Sequence, residues 1–305
     1  MTANAGAGRL KSAFVLLTAA LIWGSAFVGQ IMGMAAVGPL FFTATRFLIG
    51  ALIVAPLAWR EWQQLRRDGH APDRAAARWT VLLGTLLCAG AVTQQIGLIS
   101  TTATNGGFLT ALYVPLVPVL AWRVFGQLPH WSVWPATLAC LAGTWLLTGA
   151  GTPQFVIGDL WVLASALPWA WHVLLVGRIA NRMRGAYVLA CGQFAVCALI
   201  SGAIGIAIEP ISAAGLLDAA GAIVYTGVLS VGVGFTLQVI GQRHAHPADA
   251  AIVLSAETVF AALFGALLLG ERLDAAGVAG CALILAGILL VQIAPLLHSR
   301  TVALS

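Results

Sequence analysis

Long apolar runs, separated by short polar or arginine-bearing links, recur from one end of this chain to the other. At about 20 residues per membrane crossing, they predict ten helices near 13–32, 38–59, 79–98, 103–124, 131–149, 157–178, 186–208, 216–240, 247–269 and 274–294. Apolarity within each run is continuous, whereas the strands of a membrane barrel alternate over about ten residues. Lipid cannot satisfy backbone N–H and C=O groups, so only helices and closed barrels span a bilayer. The pattern is that of an all-α membrane protein.

Composition agrees: 60% of the 305 residues are apolar and 8% are charged, against about 25% charged in a water-soluble domain. The first run follows Arg9 and Lys11 as a signal peptide would. It extends to about Met32 with no convincing cleavage site, and is read as a retained first helix.

The basic residues orient the chain. With the N-terminus inside, Arg9, Lys11, Arg60, Arg66, Arg67, Arg74, Arg78, Arg123, Arg178, Arg182, Arg184, Arg243 and Arg300 all fall on the cytoplasmic side. Only Arg272 lies outside, and Arg46 sits within the second span. That bias favours ten helices with both termini cytoplasmic; the expected location is a bacterial inner (plasma) membrane. The arginine-rich stretch 60–78 is expected to be a solvated connector.

The second half repeats the first at a shift of 143–147 residues. Trp23 meets Trp169, Phe47 meets Phe194, Thr93 meets Thr236, Gln95 meets Gln238, and Ala142-Gly143 meets Ala286-Gly287. An odd number of helices per repeat inverts the second unit relative to the first. The expected architecture is therefore two inverted-topology five-helix repeats, residues 1–150 and 151–305. Inverted repeats are typical of secondary transporters, whose site lies near the midplane between the units.

Polar groups deep in the spans are the candidates for that site, because each is costly in a bilayer. Glu257 lies about 15 Å into the ninth span at 1.5 Å per residue; it suits a substrate-ammonium contact, proton coupling or an interhelical hydrogen bond. Arg46 is read as structural, its stem reaching the outer interface or its charge pairing with a carboxylate within the bundle. Thr93, Gln94, Gln95, Thr236 and Gln238 offer uncharged groups that either orient a substrate or bridge helices. Trp23, Trp169 and Tyr113 either line a cavity or fill the core. His172 is read as a proton relay or, more commonly for a lone histidine, a satisfied polar contact; Asp159, Asp218 and Asp249 are read as solvated span ends, and Pro115, Pro118 and Pro168 as interruptions of the fourth and sixth spans. Trp59, Trp62, Trp79, Trp131 and Trp161 are expected interfacial anchors.

At this point the residues resemble a known family, the EamA-type transporters of the drug/metabolite transporter (DMT) superfamily. The likeness lies in Leu21-Ile22-Trp23-Gly24-Ser25-Ala26-Phe27 with Arg46-Phe47, in Asn105-Gly106-Gly107-Phe108 through Tyr113-Val114-Pro115, and in Ala256-Glu257-Thr258-Val259-Phe260 followed by Leu269-Gly270-Glu271-Arg272-Leu273, Gly280 and Ala286-Gly287. It implies a ten-helix, two-repeat transporter with a central cavity, commonly an exporter of amino acids or related metabolites. Thr258 stands where the family often has proline, and Gln127 where the first repeat would match Glu271.

Other classes find little footing. Lys11 is the only lysine and lies in no phosphate-binding loop, which argues against ATP as cofactor. No basic, aromatic-interleaved stripe suggests nucleic acid. Cys88, Cys140, Cys191, Cys197 and Cys281 lack metal-binding spacing. No hydrolase motif marks a catalytic residue, so an intramembrane enzyme is the alternative to a transporter, with a membrane sensor beside it. No cofactor or metal is expected. The expected partners are a small-molecule substrate and the lipid bilayer, for a monomer or homodimer.

Overall fold

The computed structural model describes residues 2–34, 36–101, 103–147, 156–268 and 274–302. Among them every regular element is helical: α1 (Thr2–Met34), α2 (Pro39–Arg67), α3 (Arg74–Gly97), α4 (Ala103–Ala111), α5 (Tyr113–Phe125), α6 (Val133–Leu147), α7 (Ile157–Arg182), α8 (Ala186–Ile208), α9 (Ala213–Asp218), α10 (Ala220–Tyr225), a π-helical segment (Thr226–Phe235), α11 (Thr236–Gln242), α12 (Pro247–Leu254), α13 (Ala256–Leu268) and α14 (Ala275–Val302). Nine stretches among the described residues are long and apolar enough to cross a membrane, and Val133–Leu146 is a shorter apolar helix. The protein is a multi-pass membrane protein. The boundary at 150/151, Arg272 and the run Leu269–Leu273 lie outside the described residues.

Local chemistry explains the helix ends. Asp73 accepts the Ala76 N–H at 2.7 Å and caps α3. Pro39 and Pro247 occupy first turns, where the missing N–H costs nothing. Gly126 closes α5 at φ 64°, a left-handed conformation that side-chain-bearing residues resist. The stretch expected as a connector from residue 60 instead continues α2 to Arg67.

Three of the predicted spans are interrupted: the eighth at Ala219, between α9 and α10, and two others. The fourth breaks at Leu112, between α4 and α5; Pro115 has no N–H to offer the Ala111 carbonyl. The ninth breaks at Ser255, between α12 and α13, where the hydroxyl turns back to the Ile252 carbonyl at 2.6 Å. Residues 112 and 255 are 143 apart, within the shift of the sequence repeat. Pro168, by contrast, does not interrupt its crossing: α7 runs through it from Ile157 to Arg182.

Helix neighbours come in exchanged sets. α2 packs on α8 and α6 on α14; α3 packs on both α7 and α8, while the eighth predicted span (α9 to α11) packs on both α1 and α2. The α6–α14 crossing is close. A Cβ on Gly143 would lie 2.5 Å from the Gly280 carbonyl oxygen, and one on Gly287 would lie 2.9 Å from that of Ala136. Both glycines therefore permit backbone-to-backbone approach.

The two ends of the bundle are tied differently. At one rim Arg9 donates to Asp249 at 2.8 Å and to the Val291 carbonyl at 2.6 Å, and Arg243 donates to the Arg184 carbonyl at 3.1 Å. At the other, Glu209 accepts the backbone N–H groups of Leu40 and Phe41, and Thr101 donates to Asp159. Asp159 and Asp249 are thus buried and partnered, not solvated as expected at span ends. Trp59, Trp79, Trp131 and Trp161 are exposed on the bundle surface, with Trp62 stacked on Trp59.

Candidate functional site

A cavity in the middle of the bundle draws side chains from crossings in both halves. It is lined by Trp23, Phe27 and Gln30 of α1, Arg46 of α2, Gln94 of α3, Thr110 of α4, Tyr113 of α5, Trp169 and Val173 of α7, Ser230 and Phe235 of the π segment, Gln238 of α11 and Glu257 of α13. The space unfilled by protein atoms, mouth included, is about 530 Å³, of which the centre of a water molecule reaches about 50 Å³. It is a narrow site, with space for a few waters or a small solute.

The breaks in the fourth and ninth crossings fall at this cavity. Tyr113 is the first residue of α5, and Glu257 lies in the first turn of α13. Glu257 follows directly on the turn at Ser255 where α12 ends and α13 begins. The side chain is 6% exposed, and among the described residues its carboxylate has no hydrogen-bond or ion-pair partner.

Arg46 supplies the opposite charge. It is 3% exposed. Its guanidinium donates to Gln30 Oε1 at 2.9 Å and Gln95 Oε1 at 3.4 Å, and lies 5.6 Å and 5.2 Å from the ring centroids of Phe42 and Phe47. Its Nε has no partner. Neither the outer interface nor a carboxylate receives this arginine, contrary to one reading of its sequence position. Two amides and two aromatic faces lower the cost of burying the cation, but leave its charge uncompensated.

An aromatic wall lines the same cavity. Phe235 lies 4.6 Å from Trp23 and 5.8 Å from Trp169 between ring centroids, the latter pair nearly parallel at 12°. The two tryptophans matched by the sequence repeat thus flank one phenylalanine. Trp23 Nε1 donates to the Ser230 carbonyl at 3.1 Å. Space for its ring comes from Gly234, where a Cβ would stand 2.7 Å from Trp23 Nε1. The π-helical winding of Thr226–Phe235 sets both Ser230 and Phe235 on this wall, as π segments commonly do at functional sites.

Of the residues singled out from sequence, Trp23, Gln94, Tyr113, Trp169, Gln238, Glu257 and Arg46 line the cavity; Thr93, Gln95 and Thr236 do not. Thr93 turns its hydroxyl to the Ala89 carbonyl at 2.6 Å. Gln95 stands behind Arg46 as its acceptor. Thr236 is buried with its hydroxyl unpartnered. Gln94 donates to Thr110 at 2.7 Å. Phe27, Gln30, Thr110, Val173, Ser230 and Phe235 are lining residues that sequence reasoning passed over. His172, fully buried, meets Gln193 at 2.9 Å beside the aromatic wall.

Known proteins share this architecture. One solved crystal structure superposes with a TM-score of 0.76 at 23% sequence identity, covering 95% of this chain and 98% of its own. An "Uncharacterized transporter" of Archaeoglobus fulgidus is 28% identical over 291 residues, covering 94% of this chain and 88% of that protein. The "Uncharacterized transporter YwfM" of Bacillus subtilis (strain 168) is 27% identical over 297 residues, covering 94% and 95% respectively. The model of the EamA-like transporter family matches residues 10–149 and again residues 156–293. The chain belongs to the EamA-like transporter family.

Proposed function

We propose that the protein is a secondary transporter that moves a small zwitterionic metabolite of the amino-acid type across the inner membrane by alternating access, in the direction of export. The observation that carries the substrate class is the pair of ionisable groups of opposite sign in one cavity: the Arg46 guanidinium and the Glu257 carboxyl both line it, and neither has an ionic partner among the described residues. A buried charge left alone is expensive. A solute bearing a carboxylate and an ammonium group compensates both at once, while Trp23, Phe235 and Trp169 receive its apolar portion.

Ten helices in two inverted five-helix repeats are the architecture behind this reading. Its support is threefold: the family model matches the chain twice, the breaks in the fourth and ninth crossings fall at corresponding positions, and Gly143 and Gly287 exchange roles at the α6–α14 crossing. Broken helices at matching positions in the two halves point to the binding site in such transporters. Export, the cytoplasmic placement of both termini and a bacterial inner membrane follow from the family resemblance and the arginine distribution.

Trp23 and Trp169 provide the readout. Titration of the purified protein with an amino acid is expected to change tryptophan emission saturably. The amine lacking its carboxylate, and the acid lacking its ammonium group, are each expected to bind about tenfold or more weakly, since each leaves one buried charge uncompensated. Equal response to all three would remove the zwitterion from this proposal.

A further inference from the structure

A second hollow opens at the rim that carries the N-terminus, and it is larger: the centre of a water molecule reaches about 640 Å³ of it. Arg9, Arg178, Arg182, Arg243, His244 and His246 line it, and among the described residues no carboxylate does. Asp249 neutralises Arg9 from the adjoining surface. No acid answers the other three arginines: Arg9–Asp249 is the only ion pair among the described residues.

Two of these guanidiniums are held in place by neutral groups, and that of Arg182 is exposed. Arg178 lies 3.7 Å from the centroid of the Phe125 ring, with its Nη1 buried and without a hydrogen-bond partner. Arg243 donates to the carbonyls of Met183 and Arg184. The N-terminal end of α12 opens into the same hollow at His246 and Pro247, with no side-chain cap, and adds the positive end of a helix dipole. By contrast, the arginines of 60–78 share their segment with Glu61, Asp68 and Asp73.

The hollow is separate from the central cavity. Val173 lines the cavity and Gly177 the hollow, one helical turn apart on α7 or about 6 Å. Between them the buried Gln242 donates its amide to the Val173 carbonyl at 2.9 Å.

We propose that this basic vestibule is a phosphate-binding site, occupied by the phosphate of an anionic phospholipid headgroup or of a soluble phosphorylated compound. A guanidinium fork matches phosphate oxygens two at a time, and basic pockets between membrane helices accept phospholipid headgroups. The site stands whether or not the central cavity takes a zwitterion.

Two arms separate the sources. In neutral detergent, thermal unfolding is followed while inorganic phosphate replaces chloride at matched ionic strength. In nanodiscs of phosphatidylcholine with or without phosphatidylglycerol, lipid retained after gentle extraction is counted by native mass spectrometry. Wild type is expected to bind in at least one arm, and affinity to fall about tenfold for each arginine removed in R182Q and R178Q/R182Q, while R178K, which keeps the charge and loses the fork, falls between wild type and R178Q. Stabilisation by inorganic phosphate alone assigns the site to a soluble ligand, and retention of phosphatidylglycerol alone assigns it to lipid. R182Q, at an exposed position, carries the test if R178Q fails to fold. Absence of binding in both arms, or variants that bind as wild type does, overturns the proposal.

Discussion

Glu61 and Glu209 each close the start of the helix that carries or precedes the other. Glu61, near the end of α2, accepts the backbone N–H groups of Ala186 and Val188 at 3.1 Å and 2.9 Å at the start of α8. Glu209, just past the end of α8, accepts those of Leu40 and Phe41 at 2.9 Å and 2.8 Å at the start of α2. A carboxylate at a helix start satisfies free N–H groups and meets the positive end of the dipole. The two antiparallel helices are thereby clasped at both ends. E61A and E209A are each expected to lower stability by about 1 kcal/mol, with E61Q and E209Q losing less because an amide oxygen still accepts. Denaturant unfolding of the detergent-solubilised protein measures this; unaltered midpoints in both alanine variants would remove the clasp.

The α6–α14 crossing makes a sharper demand on side-chain size. With carbonyl oxygens standing 2.5 Å and 2.9 Å from where a Cβ would be, G143V and G287V force the helices apart. Each is expected to cost about 1–3 kcal/mol, as overpacking does, and to reduce the yield of folded protein. Because the two glycines meet each other's helix in the same way, the two losses are expected to be similar. A large loss at one position and none at the other would break that equivalence.

Gly234 tests the aromatic wall without touching a charge. A methyl there would stand 2.7 Å from Trp23 Nε1, so G234A pushes the indole toward the cavity and weakens its bond to the Ser230 carbonyl. The expected outcome is a shift in tryptophan emission and impaired transport from a protein that still folds. Unchanged emission and flux would mean that the ring position does not set the cavity's size.

Removal of either ionisable group is expected to redirect selectivity. R46Q removes the carboxylate contact, so it is expected to favour the amine over the amino acid; E257Q is expected to favour the carboxylic acid. Each change in relative affinity is about tenfold, read by competition binding. Identical selectivity profiles in both variants would mean that the charges act through structure and not through solute contact.

Much of this site is legible in the sequence, and the reasons for the gaps are physical. Trp23 and Trp169 show themselves because indoles recur at a fixed shift, and Glu257 because a carboxylate mid-span demands a purpose. Thr93, Gln94 and Gln95 cannot all face one cavity, since successive residues turn by about 100° on a helix; only Gln94 does. Phe235 carries no signal: it falls opposite Val92 when Thr93 is matched with Thr236, and its place depends on π-helical winding that no periodicity announces. Gln30 was available to the same reasoning that found Gln94, as an amide inside an apolar run. Pro115 marks the break in the fourth crossing, but Ser255 does not mark that in the ninth. A serine hydroxyl can bond back within a continuous helix as well as at a break.

Flux through reconstituted protein tests the central claim most directly. Liposomes containing wild type, R46Q or E257Q would be loaded with a radiolabelled amino acid, and its efflux followed against unlabelled competitor. Saturable efflux by wild type, reduced about tenfold or more in both variants while each retains the wild-type unfolding midpoint, is the expected result. Equal efflux from all three would contradict a site built on Arg46 and Glu257, and absence of efflux for every amino acid presented would contradict the assigned substrate class.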